Sequence, residues 1–193
     1  MFYPVLFTRR KSVYKSLGCD VFDIHRDARS YVGSLPVIAH PPCRGWGRYH
    51  YLAKIAPGEL DLGLFAADVV RSVGGVLEHP QYSKLWGAAG LPAPGEVDAF
   101  GGFTLPILQS WFGHAAPKPT WLYICGVELA DLPYFLPCLD VAVGRIEKMS
   151  QAQRESTPLD LAKWLLRVLD SISGQRLYQR CLQLRADSHD LIS

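Results

Sequence analysis

The sequence has no C-x-x-C pair, no apolar run near the ~18–20 residues a membrane span needs, and almost no excess charge of either sign. Each absence removes a class. Five cysteines, Cys19, Cys43, Cys125, Cys138 and Cys181, are odd in number and widely spread, which fits neither a zinc or redox pair nor a disulfide framework. Four of them sit among apolar neighbours and are expected as small core residues, with Cys43 set apart by what flanks it. Twenty basic and eighteen acidic groups leave a formal charge of +2, too balanced to argue nucleic-acid binding from charge alone. The start places Arg9 and Arg10 after a short apolar stretch, the wrong order for a secretory signal, so the expectation is a soluble, cytoplasmic protein with no membrane partner. Repeats and low-complexity tracts are also missing, and 193 residues with 49% hydrophobic side chains suffice for one core of ordinary size.

Short apolar runs alternate with stretches that can be helical. Pro4 to Phe7, Cys19 to Ile24 and Val37 to His40 read as strands, with a helix over Lys11 to Leu17 between the first two. From Leu60 to Val73 the residues Leu62, Phe65, Ala66, Val69, Val70 and Val73 recur at three and four, one face of a helix that Gly74-Gly75 ends. Val76 to His79 and Thr120 to Gly126 read as further strands, and Thr157-Pro158 as the cap and first position of a last helix through Leu169. Strands that are apolar throughout and separated by helices imply an α/β fold, a mostly parallel sheet with helices on both faces. The organisation is a single domain over 1–173 followed by a polar C-terminal extension, 174–193, expected as a frayed helix. Residues 87–119, rich in glycine, proline and aromatics, read as a long surface excursion.

In such sheets ligands bind beyond the carboxyl ends of the strands. The unusual residues cluster there: Thr8-Arg9-Arg10, Asp23, His40-Pro41-Pro42-Cys43 and Glu78-His79-Pro80. Two prolines fix the backbone ahead of Cys43, and rigid placement is what a nucleophile needs; Arg44 and Arg48 would favour its thiolate. Glu78 ends another apolar strand, where a carboxyl group can hydrogen-bond a ring nitrogen and hold a proton there. His40, Cys43, Glu78 and His79 as metal ligands match no known zinc spacing, and no metal is expected. His25, His50, His114 and His189 read as surface or supporting residues.

Pro41-Pro42-Cys43-Arg44-Gly45-Trp46 resembles the P-P-C-Q-G-F motif of the cytosine C5 DNA methyltransferases, and Leu77-Glu78-His79-Pro80 their E-N-V motif. Phe112-Gly113-His114 through Lys118-Pro119-Thr120 to Gly126 resembles their Y-G-V-P-Q-x-R-x-R-V-F-I-V-G stretch. Ser156-Thr157-Pro158 to Ala162 is similar to the G-N-A-V-P-P-x-x-A segment that opens the last helix. The whole chain also resembles short phage and prophage proteins with an A-H-P-P-C motif that are grouped with DNA methyltransferases. The resemblance implies a Rossmann-like methyltransferase-type sheet and a minimal DNA (cytosine) methyltransferase. It implies that Cys43 attacks C6 of a cytosine, that Glu78 contacts N3 and the exocyclic amine, and that Lys118 stands for the first motif arginine. The implied methyl donor is S-adenosylmethionine, with Thr8, Asp23 and Pro41 on the cofactor side. The partner is DNA or another nucleic acid, its target base out of the duplex or already single-stranded, contacted by Arg9, Arg10, Arg44, Trp46 and Arg48.

The sequence departs from that family in three places. The glycine-rich loop after the first strand is replaced by Phe7-Thr8-Arg9-Arg10-Lys11, which has no glycine to let the backbone approach a methionine moiety. Too few residues separate Lys118 from Ser156 to hold a target-recognition domain, and His79 and Thr120 replace a motif asparagine and arginine. Asp23 reads equally as a ribose-binding carboxylate or as a charged strand end. A second reading follows: a methyltransferase-like fold that binds nucleic acid or a nucleotide phosphate through Arg9, Arg10 and Lys11 without methyl transfer.

Overall fold

A computed structural model describes residues 2–138, 142 and 144–190, with side chains through residue 179. Its centre is a six-stranded sheet in the order β2-β1-β3-β4-β6-β5, with β1 at Pro4–Leu6, β2 at Asp20–Val21, β3 at Val37–Ala39, β4 at Gly75–Pro80, β5 at Phe103–Leu108 and β6 at Pro119–Cys125. β1 to β4 pair in parallel, whereas β6 pairs antiparallel with both β4 and β5. The sheet is therefore mixed and mostly parallel. β6 runs backward because only the short 3-10 turn Gln109–Phe112 and a few further residues join it to β5, too little chain for a crossover.

Side-chain alternation along the strands separates two cores. Val5, Ile38, Val76, Leu122 and Ile124 face one way, onto α5 (Leu159–Asp190) and the short helix α1 (Val13–Ser16). Leu6, Val37, Ala39, Leu77 and Tyr123 face the other way, onto α2 (Glu59–Val73), whose Ala66, Ala67 and Val70 are fully buried. Helices thus cover both faces. The spacing of Leu161, Trp164, Leu165, Val168, Leu169 and Ile172 puts one stripe of α5 on the sheet, and beyond Ile172 the helix continues through Asp190. Residues 191–193, and the side chains of Cys181 and His189, lie outside the described residues. No helix among the described residues is long and apolar enough to cross a membrane.

Two expectations are corrected. Within the stretch read as a surface excursion, Phe103–Leu108 is a strand, obscured by Pro106, which an edge strand tolerates because its outer side needs no ladder bond. Of the cysteines expected in the core, Cys125 is buried and Cys19 partly so, but Cys138 is exposed beside the aromatic surface around Phe135.

Candidate functional site

β1 sends the chain to β2 on one side and borders β3 on the other, so the strand order reverses between β1 and β3. The carboxyl ends at that point are where open α/β sheets bind ligands. Here Leu6, Phe7 and Thr8 leave β1, and Ala39 leads into His40-Pro41-Pro42-Cys43. β4 lies next to β3 and carries Glu78 at the same end.

Period-two alternation sends Glu78 to the α1/α5 face and His79 to the α2 face. Glu78 is almost enclosed, with 12% of its side chain exposed, and both oxygens are engaged. Oε2 lies 3.0 Å from His40 Nδ1, and Oε1 accepts from Gln109 Nε2 at 2.8 Å. His40 Nε2 is 3.1 Å from the hydroxyl of the buried Tyr14. The same Gln109 nitrogen donates to Thr120 Oγ1 at 3.1 Å, and that hydroxyl donates to the Lys118 carbonyl. Burial alone would push the Glu78 carboxyl up, but the Lys118 charge and the hydrogen bond from His40 outweigh it and hold the group down at about 2. Glu78 is a carboxylate at any neutral pH.

Cys43 is exposed and lies within electrostatic reach of Glu78 and Lys118. The protein packed about it pushes the thiol up, Glu78 adds to that, and Lys118 opposes it. The expected help from Arg44 is not delivered, because both ends of its guanidinium hydrogen-bond Glu59 at the start of α2. Cys43 is accordingly a thiol rather than a thiolate at rest.

The remaining candidates are less open than the sequence suggested. Thr8 is buried and uses its N–H and its hydroxyl on the Phe22 carbonyl, tying β1 to β2. Asp23 accepts from Lys15 Nζ at 2.7 Å and from the His25 N–H at 2.9 Å, which hold its carboxyl below the usual range. Pro41 is buried. Arg9 donates to the Ala152 carbonyl at 2.9 Å and pairs with Glu155 at 3.3 Å, fastening the short helix α4 (Gln151–Arg154) near the end of β1. Trp46 is half-buried against the α2 side, its indole nitrogen where a Cβ on Gly63 would collide. Arg10, Lys11 and Arg48 are exposed, with no ion pair among the described residues. Phe7 takes φ +61°, so the chain turns left-handed after β1 without a glycine.

His79 packs near Trp86 of the short helix α3 (Leu85–Ala88) and meets Ser83 Oγ at 2.7 Å; burial pushes its imidazole down to about 4. Facing away from Glu78, it cannot join His40, and no group of three metal-ligating side chains occurs among the described residues. His114, expected near the surface, is buried with Nδ1 2.7 Å from the Ala116 carbonyl.

Sequence reasoning missed Tyr14 and Gln109 as parts of this site, noted Thr120 only as the replacement of a motif arginine, and took His40 only as a metal ligand. Gln109 carried one local signal, a polar side chain directly after the apolar run Ile107-Leu108. Compared with known proteins, the chain matches no family model and no curated protein.

Proposed function

We propose that the chain is a minimal DNA (cytosine) methyltransferase-like protein on a Rossmann-like methyltransferase-type sheet, in which Cys43 adds to C6 of a cytosine while Glu78 holds the base. The observation that carries this reading is the convergence of Cys43, Glu78 and Lys118 at the carboxyl ends of β3 and β4, next to the strand-order reversal.

The addition is balanced. The Sγ–C6 bond forms as the Sγ–H bond breaks, the C5=C6 pair becomes C4=C5, the C4=N3 pair moves onto N3, and N3 takes up the proton that the thiol released. N3–H and the exocyclic amine then present two donors, and an ionised Glu78 offers the acceptors that match them. Lys118 offsets negative charge while the sulfur is deprotonated. C5 is left electron-rich.

The donor implied by the resemblance, S-adenosylmethionine, fits less well. The turn after β1 has no glycine, Arg9 is tied across to α4, and Asp23 is paired with Lys15. These engaged groups favour a second reading, nucleic-acid or nucleotide binding without methyl transfer through the unpaired Arg10 and Lys11. Incubation with single-stranded DNA containing 5-fluorocytosine, with and without S-adenosylmethionine, tests the first reading. Covalent trapping by the wild type when S-adenosylmethionine is present, and none by Cys43→Ser, is expected; the absence of both trapping and labelled-methyl transfer on DNA or RNA contradicts it.

A further inference from the structure

Tyr14 is fully buried on α1, and among the described residues its hydroxyl meets a single hydrogen-bond partner, His40 Nε2, at 3.1 Å. A buried hydroxyl with one partner must donate to it or leave its proton unsatisfied. Nε2 is then the bare nitrogen, and the imidazole proton sits on Nδ1, aimed at Glu78 Oε2 3.0 Å away. On the other side Gln109 turns its amide N–H₂ toward Oε1, the orientation that an ionised carboxylate favours. Four side chains, from α1, the end of β3, β4 and the end of β5, thus form one line, in which the Tyr14, His40 and one Gln109 proton are each directed toward Glu78.

We propose that Tyr14 and His40 are positioning residues for Glu78: Tyr14 fixes the tautomer of His40, and His40 holds the carboxylate in one orientation as an acceptor, so that the site favours a ring edge presenting N–H donors, as cytosine does once its N3 is protonated. The proposal rests on reading Glu78 as the group that holds the base. Both act through Glu78, His40 directly and Tyr14 through His40. Cys43 and Lys118 also face Glu78, and His79 lies beside it on the opposite face. Lys118 acts through its charge and Gln109 through the other oxygen, so among the described residues His40 is the hydrogen-bond partner that directs Oε2.

The tautomer is read directly by ¹⁵N NMR of His40 in the wild-type protein near neutral pH. The Nδ1–H form is expected, and an Nε2–H form overturns the proposal. Carboxyl ¹³C titration of Glu78 adds a second readout. Its midpoint should rise by about one pH unit or more in His40→Leu and return toward the wild-type value in His40→Asn, whose amide N–H replaces Nδ1–H but not Nε2. An unmoved midpoint in folded His40→Leu overturns the proposal. Should that variant not fold, Tyr14→Phe serves, with the Nδ1–H form expected to give way to a mixture and an unchanged tautomer contradicting the role of Tyr14. None of these measurements uses nucleic acid. A correct tautomer and a moved midpoint alongside failed trapping would therefore uphold the positioning pair and count against the base-holding reading alone.

Discussion

Cys43 is surrounded by groups that make its proton harder to lose: packed protein first, then the Glu78 carboxylate and more weakly Glu155, against the Lys118 charge and a backbone hydrogen bond. Alkylation by iodoacetamide, followed at the Cys43 peptide by mass spectrometry, should be slow at neutral pH and still climbing at pH 9. Glu78→Gln should speed it and Lys118→Ala should slow it; a plateau below pH 8 would contradict this electrostatic picture. His79 gives a second pH effect. With its folded value near 4 against an ordinary value of about 6.5, the unfolded chain binds a proton first as the pH falls between those values. Stability is full above about pH 6.5 and declines toward pH 4, and the depressed Glu78 continues the loss from the ordinary carboxylate range down to about 2. Urea midpoints at pH 7, 5.5 and 4 should show the first decline in wild type and less of it in His79→Asn. Cys43 and Glu78 were legible because each ends a short apolar run, and strand ends in an α/β sheet are where chemistry collects. Tyr14 and Gln109 were not, because each reads locally as an ordinary helix or strand-end residue and reaches Glu78 only through the tertiary fold.

β3, β4 and α2 were readable from apolar runs and three-four periodicity, with α2 stopped by Gly74-Gly75. Gly75 has a further duty. At φ +137° a Cβ there would lie 2.1 Å from the Val37 carbonyl oxygen, so Gly75→Ala must pry the start of β4 from β3. A loss of about 3 kcal/mol or more in denaturant unfolding is expected, and a loss below about 1 kcal/mol would contradict the close approach. β5 escaped sequence reading because Pro106 breaks its pattern, and the reversal of β6 because apolar runs carry no direction. The 150–156 segment is an element of another kind, fastened to the end of β1 by the Arg9 contacts to Ala152 and Glu155. Both charged side chains are over two-fifths exposed, so Arg9→Ala should cost about 0–1 kcal/mol of global stability. Amide exchange over 150–156 should nevertheless quicken, and unchanged exchange would show that the tether does not hold α4.

At the scale of the whole molecule, a formal charge of +2 gives no strong field to draw in nucleic acid, so binding must come from a few placed cations. The structure moves Arg9 and Arg44 out of that group by pairing them with Glu155 and Glu59, and leaves Arg10 and Arg48 exposed. For a short single-stranded oligonucleotide, Arg10→Ala and Arg48→Ala should each flatten the salt dependence of affinity by about one unit, and Arg44→Ala should not. Equal effects of all three would contradict this division of the cations. The central claim, that the carboxyl ends of β3 and β4 hold a nucleophile and a base-holding carboxylate in one site, is tested most directly by trapping on 5-fluorocytosine DNA. With S-adenosylmethionine present, the expected result is a covalent complex with wild type, none with Cys43→Ser and a strongly reduced yield with Glu78→Gln. Trapping that persists in Cys43→Ser, or is untouched in Glu78→Gln, would contradict it.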